Sequence, residues 1–132
     1  MFLIYFDEVK HDPPEQEAQL FGGIAVKDTD AQDIEDEMNE LAEKYFGSKV
    51  LSKGTEFHAK DIVQGKSNCK GRKPEERMEM LEDLLDVLGK PSVSRIYARM
   101  TPSKVSFPTD PESDTFMLFV EKTEAFLKSK SD

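Results

Sequence analysis

Asp7 and Glu8 close the apolar run Met1 to Phe6, and Glu56, His58 and Asp61 lie together in Thr55-Glu56-Phe57-His58-Ala59-Lys60-Asp61. Carboxylates are hard oxygen donors and imidazole is a nitrogen donor, so the second group suits Mg²⁺, Mn²⁺ or Zn²⁺. If Thr55 to Ala59 is extended, Glu56 and His58 share one side about 6.5 Å apart and Phe57 points away. The spacing also fits a plainer reading, in which Asp7 and Glu8 end a strand in water and His58 is a structural hydrogen-bonding residue. No second His lies near His58, which excludes a zinc-protease pattern. Neither a Walker-type glycine loop nor a Gly-x-Ser-x-Gly elbow is present, and Gly65-Lys66-Ser67 lacks the upstream glycine that a phosphate loop needs.

Directly after the second acidic group come Lys60, Lys66, Lys70, Arg72 and Lys73, the dense positive stretch of the chain. Cations beside carboxylates suit a phosphodiester whose reacting centre faces a metal, although a solvated loop has the same composition.

The elements that must hold these residues follow from periodicity. Phe2 to Asp7 is aromatic and branched and too short for a helix, which predicts a strand buried on both faces. His11-Asp12-Pro13-Pro14-Glu15 must be a loop, since consecutive prolines remove amide donors. Gln19 to Val26 predicts a second strand, antiparallel to the first, with Gly22-Gly23 marking a bulge or a close backbone approach. Asp30 to Phe46 carries Ile34, Met38, Leu41, Ala42, Tyr45 and Phe46 at helical spacing, opposite a solvated acidic face. Thr55 to Ala59 is either a strand or an extended entry to a loop, and Gln64 to Lys73 is an open basic loop. Pro74 to Leu88 predicts a helix with Met78, Leu81, Leu84, Leu85 and Leu88 inward. Val93 to Met100 alternates as a strand with Arg95, Tyr97 and Arg99 on its outer face. A last helix starts at Asp110-Pro111-Glu112 and buries Phe116, Phe119, Val120, Thr123, Phe126 and Leu127. The expected fold class is α/β: a mixed four-stranded sheet with three packed helices, in a single domain over residues 1–132.

With 132 residues and one cysteine, Cys69, the chain needs no disulfide framework, and a reducing cytoplasm suits it. The opening apolar run is short and has no basic residues before it, so neither a secretion signal nor a membrane span is expected. A formal net charge of −9 argues against a duplex binder that works by covering phosphates with cations. Bound divalent ions would supply local positive charge and reverse that argument.

Three motifs carry a family resemblance. Ile4-Tyr5-Phe6-Asp7-Glu8, Phe21-Gly22-Gly23-Ile24-Ala25-Val26 and Glu56-Phe57-His58-Ala59-Lys60-Asp61-Ile62 resemble, in order and spacing, signatures of the family called domain of unknown function 3800. The resemblance implies a ribonuclease H-like fold and a nuclease or phosphoryl-transfer site with Mg²⁺ or Mn²⁺. Asp7 would be the first-strand metal ligand, Glu8 its neighbour, Glu56 a second ligand, and Asp61 would complete the site or cap the next turn. His58 would orient a phosphate or a water, making Asp7, Glu56 and His58 the catalytic set. Two departures stand out. Val9-Lys10 replaces the usual Ser-Gly, and the later acidic elements of the family are not seen before Asp132, as expected of an N-terminal portion of a longer member.

The expected function is therefore a metal-dependent nuclease or phosphodiester hydrolase, with nucleic acid met by Lys60, Lys66, Lys70, Arg72 and Lys73. The alternative is a non-catalytic binding module, as in immunity or mobile-element systems. It would use the same fold and its Arg95, Tyr97 and Arg99 face as a partner surface, and self-association could complete missing edges.

Overall fold

A computed structural model describes residues 1–106 and 110–131, which divide into two compact units: Met1–Lys27 with Ser94–Asp132, and Asp28–Val93.

The first unit is built on a hairpin. Strand β1 (Phe2–Val9) pairs antiparallel with β2 (Gln19–Lys27) in an unbroken register from Phe2 opposite Lys27 to Val9 opposite Leu20. No bulge is needed; Gly23 instead permits the close approach expected of it. A Cβ there would lie 2.6 Å from the Tyr5 carbonyl oxygen. The loop between the strands is closed by backbone bonds between Asp12 and Gln16, around a cis Pro13-Pro14 peptide.

The sheet has three strands in the order β1-β2-β3, with β3 at Val93–Met100, and helix α4 (Pro111–Lys130) packs on β2. Phe21 and Ala25 of β2, Ile96 and Ala98 of β3 and Phe119 of α4 form the core of this unit, joined by Phe2, Ile4 and Phe126. β1 stands at the edge of that order, so its apolar run is not buried on both faces: Tyr5 is 55% exposed and Phe6 51%. A continuous apolar run shows that a strand can be covered, and which elements cover it is decided elsewhere in the chain. On α4 the buried residues are Thr115 and Phe119, while Phe116, Val120 and Leu127 of the expected stripe stay open.

The second unit is helical. Helices α1 (Asp28–Phe46), α2 (Ala59–Gln64) and α3 (Pro74–Leu88) surround a core of Tyr45, Ile62, Cys69 and Met80. The α3 stripe is rotated from expectation: Met80 and Val87 are buried, whereas Met78 and Leu85 are exposed. Cys69 is also buried, despite its polar neighbours, because the single 3₁₀ turn Ser67–Cys69 folds it inward.

The expectation of a mixed four-stranded sheet with three helices is thereby corrected: the described residues form an α/β arrangement of a three-stranded antiparallel sheet and four helices. Residues 55–58 are not a strand. The Thr55 hydroxyl donates to the Val50 carbonyl at 2.7 Å and accepts from the Ser52 amide at 2.9 Å, which closes a turn. Asn68 Nδ2 donates to the carbonyls of Gly54 and Glu56 at 3.3 and 2.8 Å, taking a bond that a strand neighbour would otherwise make. From Ala59 the chain turns into α2.

Candidate functional site

Asp7 and Glu8 belong to the first unit, at the end of β1. Asp7 is exposed, and its carboxylate accepts the Glu8 amide at 2.8 Å. Strand alternation puts Glu8 on the same side as Ile4 and Phe6, where it is half-buried. Its Oε2 accepts from Gln19 Nε2 at 3.4 Å, and its Oε1 lies 3.6 Å from Lys10 Nζ. Gln19 is itself 2% exposed and also accepts the His11 amide at 2.7 Å, so a buried amide ties Glu8 to the hairpin loop.

A crevice of about 430 Å³ opens here, lined by Asp7, Glu8 and Phe21 from the hairpin and by Asp110, Glu112 and Phe116 at the start of α4. Asp110 caps that helix by accepting the Ser113 amide at 3.4 Å, and its own amide donates to Asp114 at 3.2 Å. The helix N-terminus carries roughly half a positive charge, which offsets part of the acidity around it. Asp110 and Glu112 are candidate functional residues that sequence reasoning read only as a helix start. Their nearness to Glu8 is a long-range contact with no local signal.

Glu56, His58 and Asp61 lie in the second unit. Glu56 Oε2 is 3.0 Å from His58 Nε2, and both side chains are largely open to solvent. They line a cleft of about 300 Å³ with Met38, Leu51 and Phe57. The common side expected for Glu56 and His58 is therefore found, on a loop instead of a strand. Asp61 is half-buried in the first turn of α2, and it does not line that cleft.

The basic stretch divides into two kinds of residue. Lys60, Lys66, Lys70 and Lys73 are exposed. Arg72 instead serves the fold: its guanidinium bonds the Tyr45 carbonyl and Glu76, donates to the Asn68 carbonyl at 3.3 Å and lies 5.2 Å from the Phe46 ring centroid. Arg77 has a similar part, donating to the Ile62 and Val63 carbonyls at 2.8 and 2.7 Å at the end of α2.

The perturbed titrations of the second unit lie away from these acids. Tyr45 donates to Asp83 at 2.5 Å, and Lys44 reaches Asp83 and Glu79 at 2.9 and 3.0 Å. Burial, and then the bond to Asp83, push the Tyr45 phenol up to about 12. The same phenol and Lys44 hold Asp83 below the ordinary carboxylate range. Burial raises the Cys69 thiol. These groups tie α1 to α3 and fill a core; they are structural.

Among the described residues, no three His, Cys, Asp or Glu side chains converge to hold an ion between them. The donor set thus does not fit a closed, all-protein metal cage. Asp7, Glu8, Asp110 and Glu112 all line the one crevice, and Mg²⁺ and Mn²⁺ are commonly held through one or two carboxylates with water and substrate phosphate completing the shell. Among the described residues no helix is long and apolar enough to cross a membrane. No protein-family model, curated protein or solved structure matches the chain.

Proposed function

We propose that the chain is a metal-dependent phosphodiester hydrolase of nucleic acid whose working groups are the acids of the first-unit crevice. The observation that carries the reading is that Asp7 and Glu8 line the same opening of about 430 Å³ as Asp110 and Glu112. The three sequence motifs add to it, since Asp7 and Glu8 are the first-strand acids in the resemblance to domain of unknown function 3800. A bound Mg²⁺ or Mn²⁺ would supply Lewis-acid polarisation of a phosphoryl oxygen and a water activated near neutral pH.

The residues themselves have separable parts. Glu8 is the half-buried acid of the pair, with Gln19 Nε2 3.4 Å from one oxygen and Lys10 Nζ 3.6 Å from the other. Asp7, at the exposed end of the same strand, gives up only a bond to the Glu8 amide when it turns to a ligand. At the start of α4, Asp110 is engaged in capping the helix through the Ser113 amide, and Glu112 is the further carboxylate that would help hold a cation in the crevice. Glu56, His58 and Asp61 form a secondary set in this proposal, because Asp61 does not line the cleft that Glu56 and His58 share. The exposed lysines Lys60, Lys66, Lys70 and Lys73 are candidate phosphate contacts, and Arg72 is withdrawn from that role by its internal partners. The buried free thiol of Cys69 suits a reducing cytoplasm.

The test is cleavage of labelled single-stranded, duplex and hybrid oligonucleotides with Mn²⁺. Activity that EDTA abolishes, and that Asp7→Asn and Glu8→Gln each lower by at least about a hundredfold, is expected of groups that hold the reacting centre. Uniform inactivity of the wild-type protein rejects the reading.

A second reading, the non-catalytic binding module, is favoured by one observation. Ile4 and Phe6 of β1 and Phe116, Val120 and Leu127 of α4 line an apolar groove of about 300 Å³ beside the sheet edge. An edge strand without Lys or Pro from Phe2 to Phe6 accepts a second copy readily. Concentration-dependent dimerisation that is indifferent to EDTA, in a protein that cuts nothing, would favour this reading.

A further inference from the structure

We infer that the outward face of β3 is a track for single-stranded nucleic acid. From Arg95 to Arg99 β3 alternates: Ile96 and Ala98 enter the core, while Arg95, Tyr97 and Arg99 stand outside, Tyr97 being 66% exposed; Val93, two residues before Arg95, is buried. Acids outnumber bases in the chain by 27 to 18, so a surface cation is expected to find a carboxylate. Several do: Lys44 meets Glu79 and Asp83, Lys90 meets Glu37, and Lys128 meets Glu124. Among the described residues no hydrogen bond or ion pair engages the charged ends of Arg95, Arg99 or Lys104, a freedom they share with the exposed Lys60, Lys66, Lys70 and Lys73, and what sets the β3 group apart is the exposed ring between its arginines.

The aromatic ring between the two arginines has a third cation beside it. Lys122 reaches from α4 to donate to the Tyr97 carbonyl at 2.9 Å, and its ammonium lies 5.1 Å from the Tyr97 ring centroid. Beyond Tyr97, Arg99 and Lys104 border a shallow recess of about 450 Å³. Outward residues on a strand repeat about every 6.6 Å, a step comparable with successive phosphates of an extended strand. Cations flanking an exposed ring are the elements that bind unpaired nucleotides, with phosphates on Arg and a base stacked on Tyr. A duplex keeps its base faces inside its own stack, so the ring would contribute nothing to it. The net charge of −9 opposes this at long range, but salt screens such repulsion beyond about 8 Å at physiological ionic strength, leaving the local patch to decide at contact.

The inference deepens the proposed function by naming single strands as the substrate class and rests on it for that purpose. The experiment reads binding in EDTA, where a metal-dependent hydrolase cannot cut, so its outcome is independent of the cleavage test; strands bound here but left uncut with Mn²⁺ would sink the hydrolase reading and leave this one standing. Fluorescence anisotropy of a labelled oligothymidylate, and of a duplex of equal length, is followed across a salt series. Wild-type protein should bind the single strand more tightly. The R95Q/R99Q variant should lower the slope of log K against log salt by about 1.4, that is about 0.7 for each lost phosphate contact. Tyr97→Leu should weaken binding at least about fivefold, and Tyr97→Phe should restore it. Thermal midpoints near wild type identify folded variants. Equal or tighter duplex binding, an unchanged slope in R95Q/R99Q, loss of slope instead in K70Q/K73Q, or no binding by the wild type overturns the inference.

Discussion

Substituting alanine at Gly22 and at Gly23 should move stability in opposite directions, although the two residues are adjacent in one strand. A Cβ on Gly23 would sit 2.6 Å from the Tyr5 carbonyl oxygen and 3.0 Å from both Phe119 Cζ and Phe6 Cβ. The first of these atoms is backbone in a paired strand and cannot rotate away. Overpacking of this sort costs about 1–3 kcal/mol, while the reduced freedom of the unfolded chain returns about 0.4–1 kcal/mol. The clash wins, and Gly23→Ala should lose about 1–2 kcal/mol. At Gly22 nothing lies within 4 Å of the added carbon, so only the entropic gain remains. Gly22→Ala should therefore gain about 0.4–1 kcal/mol. Urea unfolding followed by far-UV circular dichroism reads both, with midpoints moving apart at equal denaturant dependence. A Gly23→Ala protein as stable as wild type, or a Gly22→Ala protein that loses as much, would refute the strand pairing on which the Asp7 and Glu8 position depends.

Other outcomes follow from the second unit. Burial and the Asp83 bond push the Tyr45 phenol up to about 12 from an ordinary 10.0, so the stability held by its neutral form is full below pH 10 and is lost as pH rises through the folded value. Asp83, held below its ordinary 3.8, adds stability above that value and loses it in stronger acid. Tyr45→Phe should cost about 1–2 kcal/mol at neutral pH and flatten the alkaline arm of a thermal-midpoint profile; an unchanged arm would contradict the assignment. Cys69, 1% exposed and with its thiol raised by burial, should resist a chromogenic disulfide reagent in the native protein and react at once in denaturant. Rapid native labelling would place it outside the core. Asn68→Ala leaves the Gly54 and Glu56 carbonyls without their protein donor and should lower stability by about 1–2 kcal/mol, with a change in the His58 ring resonances as the loop relaxes. Unaltered resonances would mean that Asn68 does not shape the loop.

Local chemistry made much of this legible. The prolines after His11 and the alternation of Gln19 to Val26 announced the hairpin, and Gly23 announced the close approach. The three long helices lie close to where their caps and periodicity put them. What failed depended on neighbours distant in sequence. Alternation over Thr55 to Ala59 is too short to separate a strand from a turn, and bonds from Thr55 and Asn68 decide it. Pro74 to Leu88 offers more than one apolar face, and the partner cluster of Tyr45, Ile62 and Cys69 selects the face with Met80. For the candidate site, Asp7 and Glu8 were visible as strand-end acids, while the pairing of their crevice with Asp110 and Glu112 needed the fold of α4 over β2.

The most direct measurement is calorimetric titration of Mn²⁺ into the wild-type protein and into Asp7→Asn, Glu8→Gln and Asp110→Asn variants, each checked for folding by its thermal midpoint. Saturable binding by wild type, weakened at least about tenfold by Asp7→Asn and by Glu8→Gln, is the predicted result. Wild-type binding that survives both substitutions unchanged, or no saturable binding at all, would contradict the claim that this crevice is a cation site.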